Sequence, residues 1–452
     1  MSGEVPLKSY RRLRPGPGLS REVVETHQRS RLQRATIELV ATDGYEALTV
    51  RGLTKRARIS SGTFYSRYRS TDDCLLSAFD LICQCLSQRL VEVGQNESEP
   101  RRRLELALEC LFQEVAASPE VATFMLRAAP AVGPAFTSGL RNSTMRLGVA
   151  LEFCMSSDNS PPLHPLLLEG MVAGLAWFGR AMVSGTTGED QIRGVAAEAA
   201  EWISSLDAPL AEDAELSSQQ GNGLPATGRL RNGDWDGALG DERTMILAAA
   251  FRIARCGYHQ LSVRRICREA GVSRRDFNRH FSSIEDCFIS ALEERASGAI
   301  ATLARGGLPS ATWSCAIYEA LRTLCRAVED DRDSARVLFV EITAAGTEGV
   351  DCRDRLISLA ARTLRATIPE ERSPSGLAAE ASTASAWAIL SGRVQDQSSA
   401  PTAVLPILTR LMLTTPPKVK KQTAADKKQT SRNKKHTVEV KNPFPYRLTS
   451  LE

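Results

Sequence analysis

One twenty-residue segment of this chain contains six basic side chains and no acidic residue. The segment, residues 50–69, reads VRGLTKRARISSGTFYSRYR, and its charged residues are Arg51, Lys55, Arg56, Arg58, Arg67 and Arg69. A surface with this bias favours a polyanion as its partner, because carboxylates at the same place would repel phosphates. The competing interpretation is a basic face that is solvated and binds nothing.

The charge of the remaining chain makes this segment conspicuous. The 452 residues contain 57 Lys and Arg against 53 Asp and Glu, which gives a net charge of +4. Residues 1–34 hold eight Lys and Arg against three acids, and residues 416–452 hold ten against three. The rest therefore carries a net charge of −8. We expect the basic ends to add salt-dependent phosphate affinity or solubility, and the first of them could act as a minor-groove arm.

Two short helices explain the spacing within the basic segment. Thr49 can cap a helix from Val50 to Ala57, and Ser60 can cap a second helix from Ser61 to Tyr68. The apolar residues of both helices, Phe64 among them, recur at spacings of three and four and would face inward. Two short helices joined by a turn of about three residues predict a helix-turn-helix.

The outward residues of the second helix would enter the major groove of DNA with their N-terminal end first. Hydroxyls, a helix N-terminus and guanidinium groups all bind phosphate, and Arg51 could reach a phosphate or a guanine edge. Gly62 costs the helix up to about 1 kcal/mol relative to alanine, which suits a backbone that approaches DNA closely. The predicted DNA contacts of this unit are Thr49, Arg51, Ser61, Gly62, Thr63, Tyr65 and Arg67.

An internal repeat predicts a second unit of the same kind. Residues 43–78 align with residues 256–291 without a gap at an offset of 213 positions. The rear of each half matches more loosely: residues 123–136 run parallel to 337–350, and a helix ending at Trp177 parallels one ending at Trp387. Because most of the chain has helical periodicity and almost no strand signal, we predict an all-α protein made of two tandem units from a duplicated gene.

The second copy departs from the first at the turn that would face the groove. Arg275 and Asp276 replace Gly-Thr, and Asn278 replaces Tyr65. A carboxylate at that place would repel phosphate, although Asp276 could instead cap its own helix. We therefore expect the first unit to bind DNA more strongly. The predicted DNA contacts of the second unit are Ser262, Arg264, Arg265, Arg274, Arg275, Asn278, Arg279 and His280.

Residues 34–79 resemble the DNA-binding region of the tetracycline-repressor-like (TetR) bacterial transcription regulators. The resemblance rests on Gly-Tyr at 44–45, Thr-Val-Arg at 49–51 and Gly-Thr-Phe-Tyr at 62–65. It implies a three-helix head in each half, followed by a divergent helical rear domain that binds a small ligand and dimerises. The chain would then be a two-headed regulator, predicted to be a repressor in the bacterial cytoplasm and nucleoid. The turn glycine of the family pattern is Arg58 in the first copy and Gly271 in the second.

Composition completes the predicted organisation. The segment between the halves is polar and rich in Gly and Asp, and the C-terminal tail is rich in Lys and poor in large apolar groups, so it should not fold. The predicted domains are a flexible basic arm at 1–28, a first head at 29–80, its rear domain at 81–206, a linker at 207–240, a second head at 241–294, its rear domain at 295–415 and a disordered basic tail at 416–452.

Double-stranded DNA and a small apolar effector, bound among residues 100–206 or 310–413, are the predicted partners. No cofactor, metal or enzymatic activity is predicted, because the chain lacks a phosphate loop, a nucleophile elbow and metal-ligand spacings. The longest apolar run, 170–179, is too short to cross a bilayer. The eleven cysteines are predicted to be reduced thiols, mostly in the core. The residues Trp177, Phe178, Trp202 and Trp387 are predicted to lie in the core or in a helix interface.

Two alternatives stay open in the sequence. The halves could pair within one chain as a pseudo-dimer, or two chains could form a homodimer with four heads. The heads could also have lost DNA binding, which would leave a helical small-molecule sensor or a protein-interaction module.

Overall fold

The computed structural model describes residues 20–157, 161–183, 188–207, 241–306, 313–368, 373–396 and 400–413. Every regular element in these ranges is helical, which confirms the predicted all-α class. The predicted linker beyond Asp207 and the predicted C-terminal tail lie outside the described residues, as does most of the predicted N-terminal arm.

The first half has a head of four helices and a rear bundle of five. Its helices are α1 Arg21–Asp43, α2 Val50–Ala57, α3 Ser61–Tyr65, α4 Thr71–Gly94, α5 Pro100–Ala117, α6 Pro119–Thr123, α7 Pro134–Met155, α8 Pro165–Val183 and α9 Glu189–Asp207. Helix α4 belongs to both parts, since its start packs on the head and its end on the bundle. A π turn at Phe124–Ala128 and a 3-10 turn at Pro130–Val132 join α6 to α7.

The second half repeats this order of elements. Its helices are α10 Glu242–Ala254, α11 Val263–Ala270, α12 Arg274–His280, α13 Ile284–Gly306, α14 Trp313–Asp330, α15 Arg332–Phe339, α16 Gly346–Arg365, α17 Gly376–Asp396 and α18 Leu405–Leu413. Gly133 and Gly346, which are 213 positions apart, have positive φ angles of 116° and 67° immediately before or at the start of α7 and α16. The offset of the heads therefore extends into the rear bundles.

The predicted boundaries of α1, α8 and α17 differ from the structure. Helix α1 begins at Arg21, inside the predicted flexible arm, because Ser20 caps it by accepting a hydrogen bond from the amide of Val23 and because Val24 is buried. Helices α8 and α17 do not end at Trp177 and Trp387 but continue to Val183 and Asp396.

The two halves pack against each other within one chain. One apolar core runs from the first head through its rear bundle to α14, α17 and α18 of the second half, and a second core lies in the second head and α16. At the crossing of α8 and α17, the Ser385 hydroxyl donates to the carbonyl of Gly170 at 2.7 Å. A methyl group on Gly174 would lie 2.8 Å from the same hydroxyl oxygen, so the small residues permit this close approach.

Trp177 and Trp202 of the first rear bundle lie in this interface, in agreement with their prediction as core or interface residues. The indole nitrogen of Trp202 donates to the hydroxyl of Ser382 at 3.0 Å, and that of Trp177 donates to Glu380 at 3.0 Å. Both acceptors belong to α17, whereas both indoles belong to the first half. Each indole therefore satisfies its buried N–H only when the halves are together.

Within the described ranges, α4 and α8 are long and apolar enough to cross a bilayer by length and composition alone. Both helices pack in the core described above, and one or two such helices are weak evidence for a membrane span. None of the eleven cysteines, all of which lie in the described ranges, forms a disulfide bond, and eight of them are buried, in agreement with the prediction of core thiols. Burial raises the pKa of Cys74 and of Cys287 to about 12.

Candidate nucleic-acid interface

The first head contains the predicted helix-turn-helix. The hydroxyl of Thr49 accepts a hydrogen bond from the amide of Gly52 at 3.0 Å, and the hydroxyl of Ser60 accepts one from the amide of Thr63 at 3.1 Å. Each cap satisfies an amide that the first turn of the helix leaves unpaired. Phe64 has no exposed surface and pins α3 to the head.

Helix α3 ends at Tyr65, three residues earlier than predicted. The amides of Arg67 and Tyr68 both donate to the carbonyl of Phe64, at 2.9 and 3.0 Å, which tightens the last turn and closes the helix. Tyr68 is buried as predicted, but it follows the turn after α3 and does not belong to the helix.

The turn between α2 and α3 has a strained residue. Arg58 has φ 53° and ψ 47°, and it is the only non-glycine residue with a positive φ among those described. Its counterpart, Gly271, adopts φ 68° and ψ 26°, the same left-handed region. The buried guanidinium of Arg31 holds the end of α2 by donating to the carbonyls of Ala57 and Arg58. The family pattern's glycine is thus replaced without a change of backbone conformation.

We expect the substitution Arg58→Gly to raise the free energy of unfolding of the first head by about 1 kcal/mol. The left-handed region costs a residue with a Cβ about 1–2 kcal/mol, and the greater entropy of glycine in the unfolded chain offsets part of this gain. The matched substitution Gly271→Arg should lower the stability of the second head by a similar amount. Urea denaturation followed by circular dichroism measures both. A less stable Arg58→Gly protein would show that the arginine side chain stabilises the turn.

Five of the seven predicted contacts in the first head lie on the surface, and Thr63 is half-buried. Tyr65 is strongly exposed, with 61% of its surface accessible. The exposed members are Thr49, Arg51, Ser61, Gly62 and Tyr65. Together they form one outward surface at the start of α2 and along α3.

Arg67 does not face outward, which corrects its prediction as a phosphate contact. Its guanidinium lies 3.0 Å from Glu25 and 3.4 Å from the side-chain oxygen of Gln28, both on α1, and only 17% of its side chain is exposed. The hydrogen bond from Arg67 is the main cause of the lowered pKa of Glu25. Because α3 ends at Tyr65, the chain turns back toward α1 at this point. Arg67 therefore positions α3 on the head.

The second head uses its unusual acid as a helix cap. The hydroxyl of Ser273 accepts from the amide of Asp276 at 3.2 Å, and the Asp276 carboxylate accepts from the amide of Ser273 at 3.2 Å. Hydrogen bonding to Ser273 is the main cause of the lowered pKa of Asp276. This reciprocal capping box is one of the two roles predicted for Asp276, and it gives α12 a stable start.

Three of the predicted contacts in the second head are engaged elsewhere. Arg265 binds the side chain and carbonyl of Gln260, and Arg279 lies 3.1 Å from Glu242 and 3.2 Å from Asp276. His280 is half-buried and lies 3.5 Å from Glu242. Because α10 brings Glu242 beside the end of α12, the ion pair of Arg279 joins these two helices within the second head. Ser262 caps α11 and is half-buried, and the exposed members are Arg264, Arg274, Arg275, Asn278 and Arg279.

Two exposed basic residues were missed, and their spacing could have indicated them. Lys55 lies one helical turn after Arg51 on α2, and Arg268 lies one turn after Arg264 on α11. Each pair occupies the same positions in its head, at the repeat offset of 213. Among the described ion pairs, none involves these four side chains. Both heads thus present the same pair of charges beside the second helix.

One comparison with known proteins identifies a family for the two heads. The family model for bacterial regulatory proteins of the tetR family matches residues 32–78 and 246–291. Comparison with curated proteins finds no significant match. A solved structure of the fatty acid degradation regulator FadR from Bacillus halodurans is similar to part of the chain, with 17% identity, 39% of this chain and 97% of that chain covered, and a TM-score of 0.32.

The two family matches fall on the two helix-turn-helix heads, one in each half of the repeat. Each half of the chain therefore carries one DNA-binding head of the tetR-family type, in agreement with the predicted tandem, duplicated form.

Proposed function

We propose that the protein is a transcriptional repressor that binds a single site on double-stranded DNA with both heads of one chain, in the bacterial cytoplasm. The observation that carries this proposal is the packing of the halves through α8 and α17. In helix-turn-helix dimers, a subunit interface holds two recognition helices about one turn of DNA apart, roughly 34 Å. Here the interface between the halves would set the spacing of α3 and α12 within one polypeptide.

The two heads would read different half-sites. Helix α3 presents Gly62 and Tyr65, whereas the same positions of α12 are Arg275 and Asn278, and all four are exposed. Base-edge recognition depends on side-chain chemistry, so unlike recognition helices should prefer unlike base pairs. The recognition helix of the first head has no carboxylate that would repel phosphates, whereas that of the second head has Asp276. We therefore expect the half-site of the first head to be better defined than that of the second.

The proposed regulation is release from DNA by a small apolar effector bound among the rear helices. Support comes from the resemblance of the heads to a regulator family and from the apolar rear bundles. Trp177 and Trp202 lie between the halves, so an effector that shifts one half against the other should change their fluorescence. A host metabolite that produces a saturable fluorescence change and releases DNA at the same concentration would identify it.

The substitution Tyr65→Ala tests the proposed placement of α3. We expect it to weaken binding to a selected duplex by about tenfold, the effect of one lost phosphate contact of about 1.4 kcal/mol. Its stability should stay within about 0.5 kcal/mol of the parent protein, because the side chain is mostly exposed. The matched substitution Asn278→Ala in the second head should have a smaller effect on affinity.

Fluorescence anisotropy at two salt concentrations, with the selected duplex and a random one, separates this proposal from its rival. A regulator keeps a large ratio between the two affinities as salt rises, since only the non-specific part depends wholly on phosphate contacts. Equal and weak binding of both duplexes, unchanged by Tyr65→Ala, would favour a helical sensor or interaction module without DNA binding.

A further inference from the structure

Two polar contacts fasten the second head to its own rear bundle. Arg255, immediately after α10, lies 3.0 Å from Asp331, which caps α15. Glu341, at the start of the 3-10 turn between α15 and α16, accepts a hydrogen bond from the backbone amide of Tyr258 at 3.0 Å. Tyr258 begins the short turn that leads into α11. The two contacts, which we call the head lock, therefore hold the segment from which the second helix-turn-helix starts.

Glu341 is a buried carboxylate with a partner on each side. Only 5% of the residue is exposed, and besides the amide of Tyr258 it binds the guanidinium of Arg336 at 3.0 Å. A buried charge is costly unless it is paired and hydrogen-bonded, so these two partners offset the cost of its burial. Movement of the head away from the bundle would leave one carboxylate oxygen without its donor. The contact therefore resists such movement.

The first half lacks the head lock. The offset of 213 continues through this part of the fold, since α5 and α14 begin at Pro100 and Trp313, and α6 and α15 begin at Pro119 and Arg332. At this offset, the counterparts of Arg255, Asp331, Arg336 and Glu341 are Thr42, Ser118, Thr123 and Ala128. None of these four side chains is charged, so they cannot form the ion pair or supply the buried carboxylate.

The equivalent place in the first half is filled by an aromatic ring. Phe136 packs edge-on against Tyr45, the counterpart of Tyr258, with 6.0 Å between the ring centroids. The counterpart of Phe136 is Gly349, where a Cβ would overlap the carbonyl oxygen of Ile342. The second half thus has no room for such a ring. Apolar contact has no preferred direction, whereas a hydrogen bond requires one, so the ring constrains the orientation of its head less than the lock does.

The acid at the start of α6 does not replace the lock. Burial is the main cause of the raised pKa of Glu120, and the charge of Glu38 acts in the same direction, while Arg34 and Arg56 oppose them. A raised pKa means that the surroundings favour the neutral acid. Glu120 therefore gives the first head no attachment comparable to the ion pair in the second half.

We propose that Arg255 and Glu341 are positioning residues that hold the second head in one orientation on its rear bundle, whereas the first head is free to adjust when it meets DNA. This assignment rests on the proposed binding of one DNA site by both heads. A head that is already placed loses little freedom on binding, so the lock would raise the affinity for the half-site of the second head. The first head would lose that freedom when it binds.

The test exchanges the residues of the two halves in the full-length protein. Arg255→Thr with Glu341→Ala gives the second half the uncharged residues of the first. Thr42→Arg with Ser118→Asp gives the first half the ion pair of the second. Aspartate suits position 118, because Ser118 and Asp331 cap their helices with nearly the same backbone angles, φ −134° and ψ 70° against φ −137° and ψ 75°.

The matched control is Arg252→Ala. Arg252 lies on α10, one turn before Arg255, and its ion pair with Glu269 at 3.2 Å stays within the second head. This substitution therefore removes an arginine and an ion pair from the same head without touching its attachment to the bundle.

Fluorescence anisotropy compares the selected duplex with two duplexes in which one half-site is scrambled. The variant without the lock should bind the selected duplex about threefold or more weakly than the parent, because apparent affinity falls with the fraction of molecules whose head is correctly placed. The loss should persist when the first half-site is scrambled and vanish when the second is scrambled. The control should match the parent on all three duplexes.

The variant with the added ion pair should show the opposite change. It should bind more tightly than the parent wherever the first half-site is intact, and like the parent where that half-site is scrambled. An equal gain on all three duplexes would mean that the added arginine contacts phosphate, and would contradict the positioning role. If the variant without the lock does not fold by circular dichroism, this second variant still decides the proposal.

Hydrogen exchange without DNA tests the lock independently of the proposed function. In the parent and the control, the amide of Tyr258 should be more protected than that of Tyr45, and the difference should disappear in the variant without the lock. Equal protection of the two amides in the parent would overturn the proposal, as would an affinity loss of the same size on all three duplexes. A parent that binds the three duplexes equally would contradict DNA recognition instead, whatever the exchange at Tyr258.

Discussion

Replacing Trp202 with alanine should lower the free energy of unfolding by about 3–5 kcal/mol, the cost of truncating a large buried aromatic side chain. The side chain has no exposed surface, its ring lies 5.8 Å from that of Phe178, and its indole nitrogen donates to Ser382 of the other half at 3.0 Å. The substitution would leave a cavity between α8, α9 and α17. The rear bundles should therefore come apart at lower denaturant concentration than in the parent.

Urea denaturation followed by circular dichroism measures this loss. The intermediate substitution Trp202→Phe keeps most of the apolar volume but removes the bond to Ser382, and should cost less than the alanine. Val149→Ala on the exposed face of α7 is the control, with an expected change within about 0.5 kcal/mol. A Trp202→Ala protein as stable as this control would mean that the interface between the halves is not formed as described.

The second large effect concerns the cores of the heads. Phe64 and Phe277 are equivalent residues with 0% and 1% of their surface exposed. Each replacement by alanine should destabilise its own head by about 3–5 kcal/mol and unfold it locally. Because the first head is proposed to define its half-site better, we expect Phe64→Ala to reduce specific DNA affinity by at least about a hundredfold, toward the non-specific level. Phe277→Ala should cost less.

Hydrogen exchange on the two variants distinguishes loss of a head from loss of the whole fold, since protection should fall in the altered head and persist in α8 and α17. An equal loss of DNA affinity from both substitutions would contradict the proposed difference between the heads. Affinity unchanged by Phe64→Ala would contradict DNA binding by the first head.

The sequence predicted the features that depend on neighbouring residues. Thr49 and Ser60 cap their helices as expected, because a hydroxyl one residue before a helix can reach only the amides of its first turn. The ungapped alignment of the two copies placed Phe64 opposite Phe277, and both are buried. In the sequence, Arg58 stands where the family pattern has a turn glycine, and in the structure Arg58 adopts the left-handed conformation that this turn requires.

The features that sequence reasoning missed depend on residues far apart in the chain. Arg67 forms an ion pair with Glu25 on α1, and Arg279 forms one with Glu242 on α10. In both cases the acidic partner lies outside the repeated motif. A basic residue in such a motif is equally consistent with a phosphate contact and with an ion pair inside the head. The contact of Arg141 with Asp396 spans 255 positions, and no periodicity indicates it.

Selection of bound duplexes from a random pool, combined with the mass of the resulting complex, tests the central claim most directly. One chain with two unlike heads should select a bipartite site of two different half-sites whose centres lie about one helical turn apart, roughly 10 base pairs. Light scattering should then give one chain per duplex. A perfect palindrome bound by two chains, or a pool without any enriched sequence, would contradict the account.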